Sequence, residues 1–124
     1  MKAINTKNAP AAIGPYSQAI EVNGFVYTSG QLPIDPATGE FAGSDIKSQA
    51  EQSLKNVKAI LEEAGLTMKN VVKTTVFLAD MADFAAMNEV YSTYFSEPYP
   101  ARVAYQVAAL PKGAMVEVDI IAVK

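Results

Sequence analysis

The chain has 124 residues, half of them apolar and 19% charged, a composition that predicts one globular domain over residues 1–124. It contains neither His nor Cys, which excludes disulfides, Ser-His and Cys-His nucleophiles and the usual zinc ligands. A net charge of −3 argues against a general nucleic-acid binder, while the lack of a long apolar run or a signal-like N-terminus predicts no membrane span and a cytoplasmic protein.

Met1 to Pro15 is too rich in Pro and Gly for a long regular element, with a short edge strand predicted over Ala3 to Thr6. Ser17 to Val22 and Phe25 to Ser29 flank Asn23-Gly24, a strong hairpin signal. Gly30 then ends the second strand, where a missing side chain permits a tight turn or a close approach to the backbone. The next stretch, Pro33 to Gly43, reads as a turn-rich loop. Asp35, Glu40 and Asp45 do not have calcium-loop spacing, and there is no phosphate loop or dinucleotide fingerprint, so no metal site is predicted.

Ser44 is the predicted N-cap of a helix in which Ile46, Ala50, Leu54, Val57, Leu61 and Ala64 form an apolar stripe that Gly65 closes. Val71 to Leu78 reads as a strand with Val72, Val76 and Leu78 on one face and Lys73, Thr75 and Phe77 on the other. Strand, helix and strand in this order predict a parallel crossover. A second helix is predicted from about Asp83 to Phe95, with Phe84, Met87, Tyr91 and Tyr94 buried and Asn88 at the flank of that stripe.

Residues alternate in type on both sides of Leu110-Pro111-Lys112-Gly113, so Tyr99 to Lys124 reads as a second hairpin, with Ala109 paired to Ala114. In that register Val103, Tyr105 and Val107 share a core face with Val116, Val118 and Ile120, while Arg102, Ala104, Gln106, Glu117 and Asp119 share the other. Arg grips a carboxylate through two parallel charge-assisted bonds, and Glu117 nearby suits the steering of a water. An ion pair without a ligand is the simpler reading of the same charges. Strand, helix and strand recur in the two halves, which predicts an α+β sheet with both helices on one face. The opposite face, with Phe77, Met115, Ile121 and Val123, then needs cover from other subunits.

The motifs Ile13-Gly14-Pro15-Tyr16-Ser17-Gln18-Ala19, Thr28-Ser29-Gly30-Gln31, Asn56-Val57-Lys58-Ala59-Ile60-Leu61, Pro100-Ala101-Arg102, Leu110-Pro111-Lys112-Gly113 and Val116-Glu117-Val118 run the length of the chain. Together they resemble the Rid family of reactive intermediate deaminases. The resemblance implies a chorismate-mutase-like (ferredoxin-like) α+β fold, a homotrimer with sites between subunits, and hydrolysis of enamines and imines such as 2-aminoacrylate to 2-keto acids and ammonia. It implies no cofactor and a functional link to pyridoxal-phosphate dehydratases. By the same resemblance Arg102 binds the substrate carboxylate, and Glu117 orients water with the Ala104 carbonyl. Tyr16, Ser29 and Gly30 shape the cleft, with Asn88 near its wall. Ala104 stands where members of the family often carry Cys, so any role of that thiol is absent here.

Two other readings stay open. The cleft could bind a 2-keto acid without turnover, as a sensor or regulatory module, and Glu117 is the residue that separates this from catalysis. A ribonuclease or translation inhibitor is a further reading, against which the acidic balance weighs.

Overall fold

The computed structural model describes residues 1–124. Six strands form one sheet: β1 (Lys2–Ile4), β2 (Ala19–Val22), β3 (Phe25–Thr28), β4 (Val71–Leu78), β5 (Ala101–Gln106) and β6 (Val116–Val123), in the spatial order β1-β2-β3-β6-β4-β5. Two helices, α1 (Ile46–Glu63) and α2 (Phe84–Tyr91), pack on one face, giving the predicted α+β layer arrangement.

Local chemistry explains the elements that were anticipated. Asn23 and Gly24, with φ of 51° and 80°, make the tight turn between β2 and β3 that Asn-Gly favours. Helix α1 is capped by Asp45, one residue beyond the expected Ser44, whose carboxylate accepts from the Ser48 N–H at 3.1 Å. Leu54, Val57, Ile60 and Leu61 of α1 are buried against Val76, Val116, Val118 and Ile120 of the sheet. Leu54 is 1% exposed; truncating it to Ala costs about 3 kcal/mol.

The second predicted hairpin does not form. β5 pairs with β4 in parallel, Thr74 opposite Arg102, and β6 lies between β3 and β4, antiparallel to both. Both crossovers, β3 through α1 to β4 and β4 through α2 to β5, join parallel strands, with β6 inserted in the first. Ala109 and Ala114 are therefore not paired; a short turn over Pro111–Gly113 carries the chain on to β6 instead. In strand register, paired residues share a face, so Arg102, Ala104 and Gln106 lie with Thr74, Val76 and Leu78 on the helix side. Val103 and Tyr105, expected in the core, are 42% and 44% exposed on the open side.

Smaller departures have local causes. A bulge between Val71 and Lys73 buries Val71 and turns Val72 outward, reversing the face expected for Val72. Helix α2 ends at Tyr91 rather than Phe95, so Tyr94 follows it as a half-buried side chain whose hydroxyl reaches Glu51 at 2.6 Å. The first strand is Lys2–Ile4 instead of Ala3 to Thr6.

Candidate active site

Three buried amides hold the loops around the sheet ends. Gln18 donates to the carbonyls of Thr6, Ala9 and Pro10 and accepts from the Thr6 N–H, which pins the N-terminal arm. Asn56 of α1, fully buried, donates to the carbonyls of Leu32 and Ile34, fixing the segment that leaves Gly30. Gln49 accepts from the Met115 N–H and donates to the Gly43 carbonyl, setting the start of β6. An amide offers both donor and acceptor without charge, so it satisfies buried backbone groups on two segments at once. The sequence does not mark any of the three for this role, because an amide side chain carries no sign of its partner.

Against that frame Glu117 projects from β6 onto the open face, in register with Phe77 of β4. Its carboxylate packs on Gly30, where a Cβ would lie 2.8 Å from Glu117 Cδ and closer still to Oε1. The glycine is thus explained by a close approach, made by a side chain of the same protein. Gln31 and Val118 exchange backbone hydrogen bonds at 2.7 and 3.2 Å, which holds this contact in place. Partial burial, and then the neighbouring Asp119 carboxylate, push the Glu117 carboxyl above its ordinary range. Asp119 is itself raised by burial, offset in part by a hydrogen bond from Thr75.

Ser29 donates its hydroxyl to the Ser17 carbonyl at 2.6 Å and its N–H to the Gln18 carbonyl, so it braces the two segments that meet beside Glu117. The Gly30 N–H that follows has no acceptor in the chain. Tyr16, 53% exposed, turns its hydroxyl back to the Ile13 N–H at 3.3 Å. Tyr16 and Gly30 both line a cleft of about 500 Å³, whose other walls include Ile13, Leu32 and Lys112.

Arg102 lies elsewhere. Its row across the sheet is Arg102-Thr74-Ile120, whereas Glu117 belongs to the row Glu117-Phe77-Tyr105, three residues further along and on the opposite face. The strands that carry them are two apart, roughly 10 Å. The expected shared face is therefore overturned: within one chain the packed sheet separates the two groups, and no small ligand touches both. Ala104 follows on the Arg102 face, half-buried in the outer strand β5.

The partner of Arg102 is on α2. Its Nη1 donates to Asn88 Oδ1 at 2.6 Å, and its guanidinium lies 4.7 Å from the ring centre of Tyr91 and 5.3 Å from that of Phe84. This accounts for Asn88 in a helix interior, and Phe84, Asn88 and Tyr91 recur at the i, i+4, i+7 spacing of one helix face. That spacing was visible in the sequence, but an aromatic stripe reads first as core. The two salt bridges of the structure, Lys47–Glu89 and Lys124–Glu21, involve other residues, so Arg102 has no carboxylate partner. No cluster of potential metal ligands is present either.

One chain thus carries two separated groups: a cation whose Nη1 is bonded to Asn88 and whose other donors meet no carboxylate, and a carboxylate of raised proton affinity beside an unpaired N–H and a cleft. The family model described as Endoribonuclease L-PSP matches residues 6–124. The chain belongs to this family, which is the Rid family of the motifs above. It is 54% identical to the mouse 2-iminobutanoate/2-iminopropanoate deaminase, an alignment covering 99% of this chain and 91% of the relative. A crystal structure of RidA from an Antarctic Psychrobacter is 52% identical with a TM-score of 0.96, covering 100% of both chains. That of E. coli TdcF with bound serine is 48% identical with a TM-score of 0.95, covering 100% of this chain and 99% of the other.

Proposed function

We propose that the chain is a hydrolytic deaminase that converts reactive enamines and imines of the 2-aminoacrylate/2-iminopropanoate and 2-aminocrotonate type into 2-keto acids and ammonia. The observation that carries this is an arginine held in place without an acid partner, in a chain more than half identical to a deaminase of that name. Arg102 binds the substrate carboxylate through two parallel N–H bonds. Glu117 accepts a hydrogen bond from a water, with help from the Ala104 carbonyl, and aims it at the C=N carbon. Water adds to give a carbinolamine, its proton passes to nitrogen, and the C–N bond breaks to release ammonia and leave the keto acid.

A protonated imine is already electrophilic, so the protein need only place the water and balance charge. A hundredfold to thousandfold acceleration amounts to about 3 to 4 kcal/mol, within reach of one oriented carboxylate and one guanidinium clamp. No cofactor is required for these steps. Tyr16, Ser29 and Gly30 shape the cleft, and Asn88 orients the anchor.

The active unit is a homotrimer with its sites between subunits, each combining Arg102 of one protomer with Glu117 of the next. Support comes from the opposite projection of the two groups and from the open sheet face, where Phe25, Tyr27, Val103 and Tyr105 are between 39% and 44% exposed. No helix is long and apolar enough to cross a membrane. We place the protein in the cytoplasm, beside pyridoxal-phosphate dehydratases that release such intermediates from serine or threonine.

A carboxylate-binding regulatory protein is the second reading, favoured by the serine-bound relative TdcF and by the suitability of Arg102 for any small carboxylate. Keto-acid release in a coupled reaction with a serine or threonine dehydratase separates the two. Deamination requires acceleration by the parent protein and its loss in Arg102→Ala and Glu117→Ala. A parent rate equal to the uncatalysed one, with carboxylate binding intact, establishes the regulatory reading instead.

A further inference from the structure

We propose that Phe84 and Tyr91 are positioning residues for substrate capture, holding the Arg102 guanidinium against their rings so that its carboxylate-binding edge is presented before substrate arrives. This rests on the reading of Arg102 as the carboxylate anchor. The side chain of an exposed arginine on an outer strand is ordinarily mobile, and fixing it upon binding costs conformational entropy. Here three uncharged groups from one face of α2 surround it: the two rings at 4.7 and 5.3 Å, and Asn88 Oδ1 at 2.6 Å.

The clamp is itself fixed. Tyr91 and Thr74 share a hydrogen bond between hydroxyls at 2.8 Å, and Thr74, fully buried, is the register partner of Arg102 on β4. The ring therefore keeps its place relative to the strand pair that carries the arginine. Phe95 also packs against Tyr91, with ring centres 4.5 Å apart. A carboxylate in this position would also hold the arginine, but it would neutralise the charge and compete with substrate. Ring faces and an amide oxygen orient the cation and leave its charge unpaired.

The first measurement needs no variant: proton resonances of the Arg102 side chain shift upfield in the ring currents of the folded parent. Resonances at random-coil positions overturn the proposal. The second is a kinetic series. Phe84→Leu keeps an apolar side chain without a ring face and raises KM about tenfold, as expected for loss of a partly desolvated cation–π contact, with kcat nearly unchanged. Phe84→Tyr restores the parent KM. An unchanged KM in Phe84→Leu, or equal losses in kcat and 1/KM, overturns the clamp.

A double-mutant cycle with Arg102→Lys locates the effect, because an ammonium does not stack as a guanidinium does. The KM effect of Phe84→Leu shrinks in the Arg102→Lys background if the ring acts through the arginine, and additive effects overturn that link. If Arg102→Lys alone leaves KM at the parent value, the anchor assignment falls. If Arg102→Lys raises KM and Phe84→Leu does not, the clamp falls and the anchor stands.

Discussion

The Glu117 carboxylate occupies the space that a side chain at Gly30 would fill, with Cδ 2.8 Å from the position of the missing Cβ. A contact that close forces one group to move. Gly30 itself is bound to its neighbours through Ser29 and Gln31, which hydrogen-bond to Gln18 and Val118, so Glu117 is the group that yields. Gly30→Ala is expected to swing the carboxylate away from its water position and lower kcat by about a hundredfold, the scale of losing one oriented polar group. Carboxylate binding at Arg102 should remain. A Gly30→Ala enzyme with parent kcat would show that Glu117 need not sit where the structure places it.

Arg102 makes no ion pair, so its removal leaves no orphaned acid and its effect on activity is direct. Arg102→Ala is expected to lower kcat/KM about a hundredfold, equivalent to losing charge-assisted hydrogen bonds worth about 3 kcal/mol. Its thermal stability should stay close to that of the parent, since Arg102 is exposed. Steady-state kinetics together with a melting curve check both halves of this expectation.

The sequence made the within-element patterns legible and left the between-element ones open. Helix α1, the Asn23-Gly24 hairpin and the alternation of β6 follow from periodicity and turn chemistry. Alternation says which residues of a strand share a face, but it names neither the neighbouring strand nor the side that is wet. At β5 the usual rule inverts: α2 has eight residues and leaves the helix side of this edge strand exposed at Arg102, while Val103 and Tyr105 make the open side apolar. Reading the apolar side as core therefore placed Arg102 beside Glu117. Arg102 and Glu117 are still conspicuous in the sequence, because a charge within an apolar strand stands out wherever it points.

Glu117 also carries a stability cost with a definite sign. Burial and Asp119 raise its carboxyl above the ordinary value of 4.5. As pH rises through that value, the unfolded chain releases the proton while the folded chain retains it, so stability falls across this window and the deficit persists at higher pH. Glu117→Gln removes the penalty: its melting temperature should exceed that of the parent at pH 7 and match it at pH 3, while activity is lost. In the parent, the acidic limb of kcat/KM should lie above the usual carboxylate range, because the water-orienting form is ionised. A Gln variant less stable than the parent at pH 7 would contradict the raised proton affinity.

Because Arg102 and Glu117 leave opposite faces of one sheet, two inactive variants should repair each other. In a trimer whose sites each draw Arg102 from one protomer and Glu117 from the next, Arg102→Ala and Glu117→Ala homotrimers contain no complete site. Random exchange at equal amounts rebuilds a complete site wherever a protomer with intact Arg102 meets one with intact Glu117 across the interface, about one interface in four. Unfolding, mixing and refolding the two variants should therefore restore about a quarter of the parent activity, and simple mixing without subunit exchange should restore none. Sites contained within single protomers would give no recovery under either protocol, and a monomer by light scattering would remove the interface on which the scheme depends.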